Sequence, residues 1–140
     1  MHRIHVLIEP ERLDPEGLRE LLDSDGCGSV VSFVGLTRAQ DDGVAVERLE
    51  FDAWEERLPT VLSELAEQTV GQFDVVSVVL AHRTGSVGPG EPIVCIHIGS
   101  AHRAEGFEAC SWLIDELKAS APLWKKEVKA SGETWKSGLG

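Results

Sequence analysis

Two apolar runs around a glycine-rich turn decide the fold of this chain: DVVSVVL at residues 74–80 and PIVCIHI at residues 92–98. Both are short, nearly continuous in apolar character and rich in β-branched residues, which is typical of buried strands. The sequence between them contains GSVGPG at residues 85–90, and glycine and proline favour chain reversal. The pattern therefore predicts two strands joined by a turn.

Four more strands are predicted on either side of this pair. Residues 2–8 alternate, with Ile4, Val6 and Ile8 on one face, and residues 28–37 are rich in β-branched and aromatic side chains. Residues 44–54 alternate again after a polar turn, so the strand before that turn and the strand after it can pair as a hairpin. A short strand is predicted at residues 123–128.

Three helices are predicted between the strands. The first begins with Asp14 as N-cap and Pro15 at the first helical position, the second covers about residues 55–70, and the third covers about residues 104–118. Pro122 ends the third, because proline disfavours helix at the preceding residue. Their apolar stripes are Leu18, Leu21 and Leu22; Leu58, Val61, Leu62 and Leu65; and Phe107, Cys110, Ile114 and Leu117.

The predicted order β-α-β-β-α-β-β-α-β indicates one α+β domain over residues 1–140, with a mostly antiparallel sheet flanked by helices. No apolar run approaches the roughly 20 residues needed to span a bilayer, and the N-terminus is too charged for a signal peptide. We therefore expect a cytoplasmic protein.

Charge is distributed unevenly along the chain. The net charge is −11, which argues against binding to nucleic acid or anionic membranes. All five lysines lie after residue 117, so the segment from Lys118 onward carries +3 and the preceding 117 residues carry −14. A basic segment on an acidic chain suggests a small anionic ligand, although a solvated C-terminal face is the simpler interpretation.

The three cysteines give little support to disulfide or metal chemistry. Cys27, Cys95 and Cys110 are an odd number without C-x-x-C spacing, and we interpret all three as small core residues. Cys95 and His97 share one face of a strand, but no second pair stands at a recognised zinc spacing. We expect no metal site.

Three short basic segments are candidates for chemistry. His102-Arg103 precedes a helix whose free amides favour an anion, so the pair suits a phosphate or a structural ion pair. Arg38 follows a strand and is by itself no more than a rim residue. Lys118 and Lys125 stand on either side of the Pro122 break, which can bring the two amines together. A lysine with a lowered pKa can act as a nucleophile or proton carrier, whereas one at a helix C-terminus simply stabilises the helix dipole.

Five segments also occur in a characteristic order: GSVVSFVGLTR (residues 28–38), Leu49-Glu50, HRTGSVGPGE (82–91), SAHRAEGFEAC (100–110) and LKASAPLWKKE (117–127). Together they resemble the large subunits of molybdopterin synthases, over about residues 3–135. The resemblance implies an α/β hammerhead fold and an enzyme of sulfur transfer. It also implies a homodimer at the centre of a heterotetramer, with a small ubiquitin-like sulfur-carrier subunit at each outer position.

In such an enzyme the partner's C-terminal glycine, as a thiocarboxylate, delivers sulfur to cyclic pyranopterin monophosphate and no separate cofactor is needed. The resemblance implies that Arg38, His102 and Arg103 hold the phosphate, with one group supplied by the other protomer. It makes Lys118 and Lys125 the catalytic pair. The substrate-contacting positions it implies are Leu36, Thr37, Arg38, His102, Arg103, Lys118, Lys125, Lys126 and Glu127. Phe51 and Trp54 stand where relatives often carry tyrosine.

Two rival functions remain open. The same cations would serve a non-catalytic module that binds a phosphorylated ligand or a partner's tail. A cysteine-based sulfurtransferase would instead require an exposed cysteine of low pKa, and Cys110, within an apolar helical stripe, does not fit that requirement.

Overall fold

The computed structural model describes residues 3–136. Its elements in chain order are β1 (Arg3–Glu9), α1 (Pro15–Arg19), β2 (Ser29–Leu36), β3 (Gln40–Asp41), β4 (Val44–Ala53), α2 (Leu58–Gln72), β5 (Ser77–Arg83), β6 (Gly85–Val87), β7 (Pro92–Ser100), α3 (Arg103–Ser120), β8 (Leu123–Lys129) and β9 (Gly132–Lys136). None of the helices within this range is long and apolar enough to cross a membrane. His2, where the first strand was expected to start, lies outside the described residues.

The first sheet has four strands in the order β1-β5-β7-β2. Only β1 and β5 run parallel, and the other two pairs are antiparallel. Helices cover both faces: α2 and α3 pack on one side with the larger core cluster, and Leu13, Leu18 and Leu22 pack on the other. Every residue of β5 is buried, which explains why this strand is apolar along its whole length.

The second sheet is strongly curved around a smaller core. Its strands run in the order β3-β4-β8-β9, and β6 pairs with β4 on the edge opposite β8. All of these pairs are antiparallel. The inner face of β4 contributes Val46, Leu49 and Phe51 to a cluster with Val87 of β6. The predicted α+β class with mostly antiparallel pairing is confirmed.

The predicted hairpin between the second and third strands is wrong. β2 pairs with β7, about 60 residues along the chain, while β4 pairs with β8 and with the two-residue strand β3. The turn at residues 39–43 therefore lies within the second sheet and does not join β2 to β4. The short strands β3, β6 and β9 were not predicted, because two to five residues carry too little periodicity to be recognised.

Two details of the helices also differ from expectation. Asp14 precedes α1, but its side chain makes no capping hydrogen bond. Phe107, predicted to face inward, is 60% exposed. The first half of the inner face of α3 instead carries the small residues Gly106, Ala109 and Cys110. A Cβ on Gly106 would stand 3.0 Å from the side chains of Ser100 and Val31. Close packing at Gly106 turns Phe107 outward, since neighbouring helix positions lie about 100° apart.

Candidate functional site

A cavity of about 410 Å³ lies where the two sheets meet the C-terminal end of α3. Side chains and backbone from both sheets and the helix line it: Phe33, Gly35, Leu36, Arg38, Asp41, Leu49, Phe51, His82, Ile93, Val94, Ile114, Leu117, Lys118, Lys125, Glu127 and Lys136. Its volume is within the range of small-molecule sites.

One wall of the cavity is a row of residues across the first sheet. Gly35 on β2 is opposite Val94 on β7, and Val94 is opposite His82 on β5, so the three share one face. A Cβ on Gly35 would lie 2.8 Å from Val94 Cγ1, so this position accepts only glycine without displacement. Phe33 lines the cavity from the same face, and Phe51 lines it from β4. This wall of the cavity is therefore mainly apolar and aromatic.

Four cationic side chains line this cavity: Lys136 of β9 and three others from three places in the chain. Arg38 follows β2, Lys118 stands in the last turn of α3, and Lys125 is on β8. Pro122 connects the last two as predicted: α3 ends at Ser120, and β8 starts at Leu123. Arg38 and Lys118 are exposed, whereas Lys125 is half-buried.

Lys125 has a lowered pKa because of its surroundings. Burial has the largest effect, since it disfavours the charged ammonium. Glu127 opposes that effect, while the positive charges of Lys118, Lys136 and Arg38 lower the pKa further. Lys125 thus gives up a proton more readily than an ordinary lysine, which suits a proton carrier.

An ion-pair network forms the rim of the cavity beside Lys125. Lys129 Nζ and Lys136 Nζ each lie 3.1 Å from Asp41 Oδ2. The same amines lie 3.1 and 3.5 Å from Glu127 Oε1. Two hydrogen bonds, the stronger in effect from Lys129 and the weaker from Lys136, lower the pKa of Asp41 to about 2. The network holds the buried Glu127 in place and links β3, β8 and β9.

Several expected site residues lie outside the cavity. His102 and Arg103 are exposed at the start of α3, and Arg103 is 15 residues from Lys118, about 22 Å along the helix. Lys126 is on the opposite face of β8, 2.9 Å from Glu50. Within a single chain, His102, Arg103 and Lys126 therefore do not line the cavity. The expectation that they meet the other cations there is wrong.

Thr37 also lies outside the cavity lining, although its neighbour Leu36 lines it. Thr37 is buried, and its backbone is joined to the turn before β7. Its amide donates to the Glu91 carbonyl at 3.0 Å, and its carbonyl accepts from the Gly90 amide at 2.8 Å. Thr37 therefore fixes the position of the strand end that carries Leu36 and Arg38.

Sequence reasoning missed several residues that form the site. Phe33, His82, Asp41 and Lys136 line the cavity. Phe33 and His82 belong to the segments 28–38 and 82–91 singled out in the sequence, but strand pairing decides which face of the sheet their side chains occupy. Asp41 and Lys136 meet only because β3 and β9 join the second sheet, so no local sequence pattern predicts that they lie at the cavity.

The cysteines do not form a reactive centre. Cys95 and Cys110 are buried, and burial raises the pKa of each thiol to about 11. Cys27 is only partly buried, so the expectation of a core position is wrong for this residue. Among residues 3–136, no three His, Cys, Asp or Glu side chains are placed to hold a metal ion.

Comparison with known proteins gives a consistent result. The family model described as MoaE protein matches residues 8–120. The molybdopterin synthase catalytic subunit of Arabidopsis thaliana is 38% identical over 95% of this chain and 67% of its own length. The protein of the same name from Pyrococcus abyssi is 32% identical over 97% of this chain and 92% of its own length.

Solved structures show the same fold. Molybdopterin synthase from Staphylococcus aureus matches with a TM-score of 0.78 at 29% identity, covering 92% of this chain and 94% of that chain. A complex of subunits 1 and 2 of molybdopterin-converting factor from Helicobacter pylori matches with a TM-score of 0.77, over 93% and 88% of the two chains. At 24% identity, the second likeness concerns the fold alone. The chain belongs to the MoaE family, the catalytic subunits of molybdopterin synthase.

Proposed function

We propose that this chain transfers sulfur from the thiocarboxylated C-terminal glycine of a small ubiquitin-like subunit to cyclic pyranopterin monophosphate. Two transfers make the dithiolene of molybdopterin. The observation that supports this proposal most strongly is a cavity lined both by the cations Arg38, Lys118 and Lys125 and by the aromatic residues Phe33 and Phe51. The reaction takes place in the cytoplasm and needs no cofactor beyond the sulfur that the partner brings.

The two halves of the substrate fit two parts of the cavity. A flat ring system suits the space between Phe33 and Phe51, because aromatic faces favour stacked or edge contacts with another ring. A phosphate suits the rim, where Arg38 supplies a planar fork of donors. Substrate binding therefore uses both apolar burial and charge pairing.

The two lysines have different roles. Lys118 is exposed at the end of α3, where an entering chain end can reach it, so it contacts the partner's thiocarboxylate. Lys125 is half-buried and has a lowered pKa, so it moves the proton during the transfer. Glu127 remains beside Lys125 as a fixed negative charge, held by Lys129 and Lys136.

The partner is a small glycine-tailed protein. Support comes from the Helicobacter pylori structure of the same fold, which is a complex of two different subunits. The chain itself assembles as a homodimer at the centre of a heterotetramer. This arrangement gives each cavity one partner tail.

The free edge of β2 explains how His102 and Arg103 can still serve the site. Among the described residues, β2 pairs only with β7, so its other edge is open. Ser29, at its start, is opposite Ser100 and hence close to His102, whereas Arg38 follows its end. Antiparallel pairing of two β2 strands about a twofold axis would place each start beside the other copy's end. His102 and Arg103 of one protomer would then approach Arg38 of the other.

Mixing two variants tests this composite site. Arg103→Ala weakens substrate binding, and Lys118→Ala removes transfer, so each homodimer is deficient at limiting substrate. Hybrid dimers would carry both substitutions at one site and none at the other, so activity recovers on subunit exchange. A mixture no more active than its two components would contradict the shared site.

Reconstitution distinguishes the enzyme from a binding module. The chain is combined with a thiocarboxylated partner and the pterin substrate, and dithiolene formation is followed with time. Multiple products per site are expected. Tight binding of both components without any product would support the module instead.

A further inference from the structure

His82 is a buried histidine at the cavity wall to which the proposed transfer gives no task. It is 1% exposed, and it lines the cavity beside Val94 and Phe51. Its ring meets the Phe51 ring edge-on, with 5.4 Å between centroids. A polar ring in this otherwise apolar wall requires a reason, because burying a polar group without a partner is unfavourable.

The hydrogen bond at one ring nitrogen fixes the tautomer. His82 Nδ1 lies 2.6 Å from the carbonyl oxygen of Arg83, which can only accept, so Nδ1 carries the hydrogen. Burial lowers the pKa of His82 to about 4, and the ring is neutral at physiological pH. Nε2 therefore holds a free lone pair. No residue within 3–136 is seen to hydrogen-bond it.

The other buried histidine of the first sheet contrasts with His82. His97 accepts from Ser32 Oγ at Nδ1, 2.6 Å away, and Nε2 donates to the Pro15 carbonyl at 2.8 Å. His97 is on the opposite face of β7 from Val94 and is absent from the cavity lining. Both nitrogens of His97 are therefore hydrogen-bonded within the protein, and the bond to Pro15 fixes α1 against the sheet. His82 has one acceptor left over, and that acceptor is on a residue that lines the cavity.

We propose that His82 is a specificity-determining residue, whose Nε2 accepts a hydrogen bond from a ring N–H or amine of the bound heterocycle. The inference rests on the proposed function, because it assumes that the ring occupies the cavity with its phosphate toward Arg38. Because Nδ1 already donates to the Arg83 carbonyl, the neutral imidazole can only accept a hydrogen bond, at Nε2. It therefore orients the edge of the bound ring and disfavours rings that present an acceptor there.

A matched pair of variants tests this role. His82→Gln and His82→Met have similar unbranched side chains, but only glutamine offers a strong acceptor near the position of Nε2. Binding of the pterin substrate is measured by titration, and turnover is measured with the thiocarboxylated partner. Loss of one hydrogen bond predicts roughly tenfold weaker binding for His82→Met. His82→Gln should stay within about threefold of the wild type, with kcat little changed in both.

His97→Met is the control, since it replaces a buried histidine on the other face of the sheet. It should lower the melting temperature and leave substrate affinity unchanged. Equal affinity for wild type and His82→Met, or an equal loss in His82→Gln and His82→Met, would overturn the role of His82. A wild type that binds the substrate but never forms product would instead contradict the proposed function.

A measurement on the wild type avoids any folding defect in the variants. With ¹⁵N-labelled histidine, long-range correlation spectra should show His82 with hydrogen on Nδ1 and a bare Nε2. Adding substrate should shift the Nε2 resonance in the direction of hydrogen bonding and leave both His97 nitrogens unchanged. An unmoved Nε2 resonance at saturating substrate would also overturn the proposal.

Discussion

Lys125 and Lys126 are consecutive residues on β8, yet they lie in two different environments. The cavity face of the second sheet half-buries Lys125 beside Arg38 and Lys118, and its pKa is lowered. On the outer face, Lys126 Nζ lies 2.9 Å from Glu50 and 5.6 Å from the centre of the Trp135 ring. Its hydrogen bond with Glu50 raises its pKa.

The difference shows that position on a strand, and not residue type, decides which lysine can do chemistry. Side chains alternate across a sheet, so neighbours in sequence face opposite sides. On the cavity face, Arg38 and Lys118 lie close enough to Lys125 to lower its pKa, although Glu127 opposes that effect. This group of cations suits an incoming anion. On the outer face each charge already has a partner, so Lys126 is a structural residue. The predictions below test this contrast, beginning with the largest effect.

Lys118→Ala should have the largest effect on the cavity face. If Lys118 contacts the partner's tail as proposed, loss of its amine should reduce sulfur transfer about 1,000-fold, within the range for catalytic groups. The fold should persist, because Lys118 is exposed. Single-turnover kinetics with the thiocarboxylated partner provide the measurement. Asp115→Ala, an exposed change in the same helix, is the control, and near-normal transfer by Lys118→Ala would remove its catalytic role.

Arg38→Ala should have an intermediate effect that appears in binding. Removing the guanidinium from the rim should raise the apparent KM for the pterin about tenfold and change kcat much less. Titration with the substrate gives the same comparison without the partner. Arg57→Ala removes the same charge at a remote exposed position and should change neither value. An unchanged affinity in Arg38→Ala would argue against phosphate at this rim.

Asp41→Asn should have the smallest effect, and it should depend on pH. Because Lys129 and Lys136 lower the pKa of Asp41 from 3.8 to about 2, the ionised carboxylate stabilises the fold above pH 4. That contribution disappears as pH falls through about 2. The melting temperature of wild type should exceed that of Asp41→Asn by a few degrees at pH 5. The gap should close near pH 2, and a constant gap would mean that ionisation of Asp41 is not the cause.

Local patterns in the sequence were sufficient for most elements of the fold. The long strands and helices follow from periodicity, and Pro122 correctly separates α3 from β8. The partner of β2 could not be predicted in this way, because it is about 60 residues distant and the alternation of β2 is satisfied equally by either neighbour. Strand pairing is decided by which faces are buried together, and that is a property of the whole chain.

Two errors in the predicted site conflict with strand and helix geometry that the sequence itself implies. Alternation along residues 123–128 places Lys125 with Glu127 and sends Lys126 to the other face. The rise of a helix separates Arg103 from Lys118 by about 22 Å, so one chain cannot bring them together. In contrast, no local rule could place Lys136 or Asp41 at the rim, since they meet through β9 and β3.

The most direct measurement compares Lys125→Ala with Lys126→Ala in single-turnover sulfur transfer, at saturating partner and substrate. The two variants remove the same group from adjacent positions on opposite faces of one strand. We expect transfer by Lys125→Ala to fall about 100-fold or more. Lys126→Ala should stay within about threefold of wild type, because its ion pair with Glu50 lies outside the cavity. Equal losses in the two variants, or a larger loss in Lys126→Ala, would contradict the assignment of the chemistry to the cavity face.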